Sequence, residues 1–478
     1  MKKIISVLLT LVMLFAITSV CVCADETTMT TLSVADARTY EAYQIFVGDV
    51  EGKTLSNVKW GANGTGVADT PVDEATLALL AGLTNTDISD ESKLAVIESL
   101  VNLNTAAVGT VSKEAPLSVA TGYYLMKDVS DNLGEGQELS AFVVKVVGDV
   151  VITPKVGEVT SKKKIKDVND SLDDPTVVKA WQDSADYDIG DEIPYLLEGV
   201  VTEKYAAYDE YYFCFHDTLS KGLDFKAESV HVFVDGVEIT EGFELIKANG
   251  DKYIKFEFEN LKNIPEVKAG SVITAEYLAV LNTDAIIGSL GNPNVMYLEY
   301  SNDPNGDGHG ETPEDKVTVF TYKLVVNKVD GESGEALKGA GFTLYKKDAV
   351  AGFVAVGPEV SGEDLSTFTW TGLDDGIYKL SETTTPAGYN TMADIEFTVT
   401  ADHEIESADP KLTSLSGNLA TGELTSGTIT KDIENNKGTV LPETGAEGTI
   451  AFITIGAILA AIAVVFLITR KKMSVYED

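Results

Sequence analysis

Three strand-like stretches of this sequence each place a chemically distinctive polar residue on the face that holds core residues. In strand alternation, Tyr322, Leu324, Val326 and Lys328 share one face, as do Tyr378, Leu380 and Glu382, and Ile429, Ile433 and Asn435. A lysine, a carboxyl and a carboxamide that follow core residues inward are costly to bury apart, so the pattern predicts that they meet. Desolvation lowers a lysine's pKa and raises a carboxyl's, which would make Lys328 a neutral nucleophile beside a protonated Glu382. A buried Lys–Glu ion pair beside an unrelated asparagine is the inert alternative.

A second chemically loaded stretch is Leu441-Pro442-Glu443-Thr444-Gly445, followed by the uncharged apolar run 449–469 and then Arg470-Lys471-Lys472. Pro442 forces an extended, kinked peptide that a groove can read. The 21-residue run is long enough to cross a bilayer, and the basic tail sets its end on the cytoplasmic side. The arrangement resembles the cell-wall sorting signal of Gram-positive surface proteins. That resemblance implies that a sortase cysteine attacks the Thr444 carbonyl, releases Gly445 onward and passes the acyl group to an amine. Val150-Val151-Ile152-Thr153-Pro154-Lys155 looks like the pilin motif of sortase-assembled pili, with Thr153 where an aromatic is usual, and makes Lys155 the candidate acceptor.

The stretch Tyr378-Lys379-Leu380-Ser381-Glu382-Thr383-Thr384-Thr385-Pro386-Ala387-Gly388-Tyr389 resembles the E-box of Cna B-type domains. The resemblance implies a Lys328–Asn435 isopeptide bond with Glu382 as its catalyst, polarising the carboxamide and moving the proton as ammonia leaves. Two further stretches, Trp181-Gln182-Asp183-Ser184-Ala185-Asp186-Tyr187-Asp188-Ile189-Gly190-Asp191 and Leu298-Glu299-Tyr300-Ser301-Asn302-Asp303-Pro304, look like the preceding domain of the same pilins. Parity there selects Lys163 (with Val159 and Ile165), Asp217 (after Tyr211, Phe213 and Phe215) and Asn302 (after Met296, Leu298 and Tyr300). We therefore expect a Lys163–Asn302 bond assisted by Asp217, with Lys164 as the runner-up lysine; Lys162, Lys164 and Lys166 fall on the opposite face. Asp303, Asn305, Asp307 and Glu314 satisfy the spacing of a Ca2+ loop, yet Pro304 and Pro313 interrupt it and no helix flanks it, so it is a candidate Ca2+-binding turn and no EF-hand. No cofactor is required by any of this chemistry.

These groups need elements to position them. Met1-Lys2-Lys3 and the apolar run to Val22 read as a signal peptide ending near Ala24. From 25 to 155 strand-like pieces surround helical patterns at 72–83 and 91–102, a mixed α/β domain. From 156 to 321 and from 322 to 440 short alternating strands and turns predict two Ig-like sandwiches, and 441–478 holds the sorting signal. The fold expected is mainly β: tandem Cna A/B-type sandwiches behind an α/β domain. With Tyr43-Gln44-Ile45-Phe46 and Val58-Lys59-Trp60-Gly61 in the same order, the whole chain resembles the major pilins.

The 478 residues carry a formal charge of −39, which repels nucleic acid and anionic lipid. Arg38 is the one arginine between 25 and 444, too few for phosphate clamps. Cys21 and Cys23 leave with the signal, and Cys214 alone cannot form an internal bridge. His216, His231, His309 and His403 show no metal-ligand spacing, and no nucleophile elbow appears, so the chain reads as no enzyme. The expected partners are pilin-polymerising and housekeeping sortases, identical subunits, peptidoglycan and minor pilins, and the rival reading is a wall-anchored adhesin or minor pilin that does not use Lys155.

Overall fold

The computed structural model describes residues 29–438 except 53, 84–89, 154–157, 172–178, 305 and 421, together with a helix over 454–465. Strands dominate, as the alternating patterns require. In the N-terminal region the strands Thr54–Trp60, Tyr40–Glu51, Gly122–Asp128 and Ala141–Val146 form one sheet, and Leu117–Ala120, Met29–Val34 and Val150–Ile152 form a second. The helices Glu74–Gly82 and Asp90–Glu98 cover the first sheet, whose core gathers Ile45, Phe46, Trp60 and Leu80. Asp73 starts the first helix by accepting from the Thr76 amide at 2.9 Å. The second helix stops before the end of its predicted pattern, because Val101 leaves it to bridge Gly64.

Residues 161–320 build a sandwich of two sheets. One runs Trp181–Gln182, Ser161–Lys166, Glu192–Val200, Val272–Leu281, Leu223–Val234, Val237–Ile239. The other contains Ser184–Asp186, Asp315–Phe320, Asn292–Ser301, Phe213–Leu219, Tyr253–Phe258 and Glu244–Ala248. Residues 322–435 repeat the plan. Thr367–Leu373, Tyr322–Asp330, Thr428–Asn435 and Gly422–Glu423 face a sheet built on Gly341–Asp348, Gly376–Thr384, Ile395–His403 and Leu412–Gly417. The first and last long strands of this unit, Tyr322–Asp330 and Thr428–Asn435, are parallel neighbours, with Lys328 beside Ile433 and Asp330 beside Asn435.

The three units dock through buried polar groups. Arg38 pairs with Asp128, donates to the Glu138 carbonyl at 2.8 Å and to Gln137 Oε1 at 3.0 Å. The Glu138 carboxylate in turn accepts from Thr202 at 2.6 Å and Tyr208 at 3.1 Å in the second unit. Between the second and third units only Thr321 separates two strands, and its hydroxyl donates to the Leu373 carbonyl at 3.2 Å. Gly288 and Gly427 meet so closely there that a Cβ on Gly288 would lie 2.5 Å from the Gly427 nitrogen, and both have positive φ.

The Asp128 carboxylate is fully buried against Arg38. Removing the guanidinium strands a charge in a dry site, and Arg38→Ala is expected to lower the unfolding free energy by about 3–5 kcal/mol, measured by chemical denaturation of the mature chain.

Candidate functional site

In the third unit, alternation sends Tyr322, Leu324, Val326 and Lys328 inward from one strand, and Tyr378, Leu380 and Glu382 inward from the facing sheet. Both the Lys328 and Glu382 side chains are fully shielded from solvent. The Lys328 ammonium nitrogen lies 2.6 Å from Asn435 Oδ1, Asn435 Nδ2 donates to Glu382 Oε1 at 2.8 Å, and Lys328 Nζ is 3.7 Å from the same carboxylate. The amide of Met392 fixes the other Glu382 oxygen at 2.8 Å. Burial pulls the Lys328 pKa below its ordinary value, although Glu382 opposes it. The arrangement is that of an amine held against a carboxamide, with a carboxylate on the nitrogen that would depart.

The second unit builds a related centre across its two sheets. Lys163 lies on Ser161–Lys166, fully buried with Ile165 between exposed or half-buried neighbours. Its ammonium is 2.7 Å from Asp217 Oδ1 and 3.2 Å from the Tyr277 hydroxyl, which itself donates to Asp217 Oδ2. Burial lowers the Lys163 pKa against the pull of Asp217. Lys164 points the other way and pairs with Asp183, and Lys162 pairs at the surface with Glu198.

The carboxamide at this centre belongs to Asn294 and not to Asn302. Asn294 is fully buried, and its Nδ2 donates to the Tyr277 hydroxyl at 2.7 Å while its Oδ1 has no partner. The expected parity holds, since residues 292 to 300 alternate buried and half-buried, but the partner lies at the opposite end of the strand. Asp217 sits opposite Met296, and Asn294 is two pairs further along, opposite Leu219. Asn302 is six residues beyond Met296, roughly 20 Å at strand rise. It instead closes a turn, its main-chain N–H donating to the Gly308 carbonyl at 2.9 Å. Tyr277, which links all three groups, carries no sequence signal beyond its inward parity on Val272–Leu281.

A third buried lysine has a different character. Burial acts against the Lys346 charge, but Asp374, Asp188 and Asp170 outweigh it and raise its pKa, so it remains an ion. In the candidate Ca2+ turn Asp307 and Glu314 are exposed, and Asn305 lies outside the described residues. The convergent acid groups among the described residues lie elsewhere, between the second and third units, and include His403 with Asp167 and Asp186. That grouping escapes sequence spacing because it joins positions more than 200 residues apart. Lys155, Leu441 to Gly445, and the signal peptide also lie outside the described residues. Helix 454–465 covers part of the apolar run, and among the described residues no helix is long and apolar enough to cross a membrane.

Comparison with known proteins places this architecture. Residues 322–411 match the SpaA family model, a prealbumin-like fold domain, and residues 433–474 match the LPXTG cell wall anchor motif. The class is therefore a cell-wall-anchored surface protein built from tandem β-sandwiches. Within it, the chain is similar to the trypsin-resistant surface T6 protein of Streptococcus pyogenes serotype M6, 28% identical over 200 residues, 36% of this chain and 35% of that protein. The match thus spans about a third of that relative's length. The fold is that of the T6 backbone pilin of serotype M6 S. pyogenes, with a TM-score of 0.52 and 18% identity, covering 87% of this chain and 100% of that one. The full-length major pilin SpaD of Corynebacterium diphtheriae is also similar, at TM-score 0.48 and 17% identity over 86% of this chain and 98% of that one.

Cys214 is buried and its thiol is pushed up to about 12 by burial. We expect no alkylation of the folded protein by a maleimide at pH 8 and complete alkylation after denaturation, read by mass spectrometry.

Proposed function

We propose that the protein is the structural shaft subunit of a covalent pilus. Sortase would join the Thr444 carbonyl of one subunit to the Lys155 amine of the next, and the last subunit to peptidoglycan. The observation that carries this reading is the pair of dry lysine centres in a three-unit chain that ends in an anchor motif. A shaft subunit bears tension through its whole length, and both centres are placed to tie strands together covalently. The reaction at the third unit is a transamidation. The neutral Lys328 amine attacks the Asn435 carboxamide carbon, the amine gives up a proton through Glu382, and Nδ2 leaves as ammonia. In the second unit Lys163 and Asn294 would react in the same way, with Asp217 as the proton carrier and Tyr277 relaying to the departing nitrogen. Each bond forms once per molecule, so this is maturation and no turnover.

The Lys328–Asn435 link closes a loop of 107 residues. By analogy with a disulfide across about 100 residues, it stabilises the unit by about 4–5 kcal/mol.

The mature protein is expected to weigh less than its sequence by two ammonia molecules. Glu382→Ala restores one. Asn294→Ala restores the other, whereas Asn302→Ala leaves the deficit at two; a mass equal to the plain sequence removes both bonds.

Polymerisation is tested separately on cell-wall extracts. Lys155→Ala and Thr444→Ala are each expected to abolish the ladder of multimers while the protein is still secreted and folded. A ladder that persists in Lys155→Ala moves the acceptor to another lysine. A single band in the unaltered protein favours the wall-anchored adhesin or minor pilin.

A further inference from the structure

Where the second and third units meet, three metal-ligating side chains converge from separate elements. Asp167 follows the strand Ser161–Lys166, Asp186 ends Ser184–Asp186, and His403 ends Ile395–His403. One ligand atom from each lies within 4.8 Å of the others. His403 Nε2 is 3.6 Å from Asp167 Oδ2 and 3.7 Å from Asp186 Oδ1, too far for hydrogen bonds. Two ligands about 2.1 Å from a shared ion, at angles of about 110–120°, stand about 3.4–3.6 Å apart.

The other ring nitrogen fixes the tautomer. The Ser184 hydroxyl donates to the Glu404 carbonyl at 2.6 Å, so toward His403 Nδ1, at 2.8 Å, it accepts. The proton of a neutral ring therefore sits on Nδ1, and the lone pair on Nε2 faces two carboxylates. An outer partner on the far nitrogen is the usual support of a metal-bound histidine. Independently, Asp186 Oδ2 is buried without any hydrogen-bond partner, in a side chain only 4% exposed. Asp374 and Asp375 stand behind it, each with an oxygen within 4.8 Å of Asp186. The neighbouring cation, Lys346, is already shared among Asp170, Asp188 and Asp374. Asp167 is 31% exposed and leaves a path to solvent.

We propose that Asp167, Asp186 and His403 bind one divalent transition-metal ion of the Zn2+ or Mn2+ kind, which staples the second unit to the third. Two carboxylates, a neutral imidazole and a dication sum to zero charge, the state that burial favours. Mixed nitrogen and oxygen donors select such ions over Ca2+. The competitor is a proton. Burial works to lower the His403 pKa, but Asp186, Asp167 and Asp375 outweigh it and raise it. Metal affinity therefore climbs with pH as the imidazolium gives up that proton.

The test uses the processed protein taken from the cell surface and stripped with EDTA, into which ZnCl2 or MnCl2 is titrated calorimetrically. We expect one ion per chain at this site, proton release on binding, and a rise in Tm. His403→Gln and Asp186→Asn abolish binding, and Ser184→Ala weakens it roughly 10–100-fold by freeing the ring. His309→Gln, in the separate His216–Glu299–His309 group of the second unit, leaves it unchanged. For variants that fold poorly, the 15N shifts of His403 in the unaltered protein decide. A metal-bound Nε2 supports the site, and a ring that stays doubly protonated at saturating Zn2+ overturns it. Unchanged stoichiometry and affinity in a folded His403→Gln also overturn it.

Discussion

An amine cannot remain both charged and dry without a partner, and that constraint organises this protein. Lys163 and Lys328 are enclosed by aromatic rings, with Lys163 Nζ 5.2 Å from the Tyr195 ring centre and Lys328 Nζ 5.6 Å from that of Phe342. Each has one carboxylate within ion-pair distance, which does not offset the loss of water, and each pKa falls. Lys346 has three carboxylates at a wetter boundary, and its pKa rises. The same side chain is thus readied as a nucleophile in two cores and kept as a cation at a joint, purely by the number of anions and the dryness around it.

The third-unit centre was legible because each of its groups ends a run of alternating core residues within a single strand. The partners then follow from strand faces together with the E-box-like stretch around Glu382. In the second unit the alternation named the lysine, the aspartate and the strand that meet in the core. It could not tell which asparagine lies beside them, since 294 and 302 share parity and only the register against Phe213–Leu219 separates them. Local irregularities add a similar blindness. In Tyr40–Glu51 the burial pattern slips where the pairing shifts between Gln44 and Phe46, and no residue type announces it. The His403 group was invisible because it arises only when two sandwiches dock.

Docking itself follows from small residues and short connections. With Thr321 alone between strands of successive units, and with glycines meeting at 288 and 427, there is little slack for the second and third units to swing. The main-chain bonds from Asp183 to Ile405 and from Ile189 to Gly372 run across this joint as they would within a sheet. At the other joint the Arg38, Asp128 and Glu138 network performs the same task with side chains, whereas the second joint combines close-fitting glycines with the Lys346 ion cluster.

The solitary thiol carries one more implication. With Cys214 enclosed and poorly ionised, the segment after Ala24 offers glutathione or thioredoxin no bond to exchange. Its connectivity is the same in a strongly reducing surrounding as in an oxidising one, so shifts in redox potential that loosen disulfide-built surface proteins leave this chain unaltered.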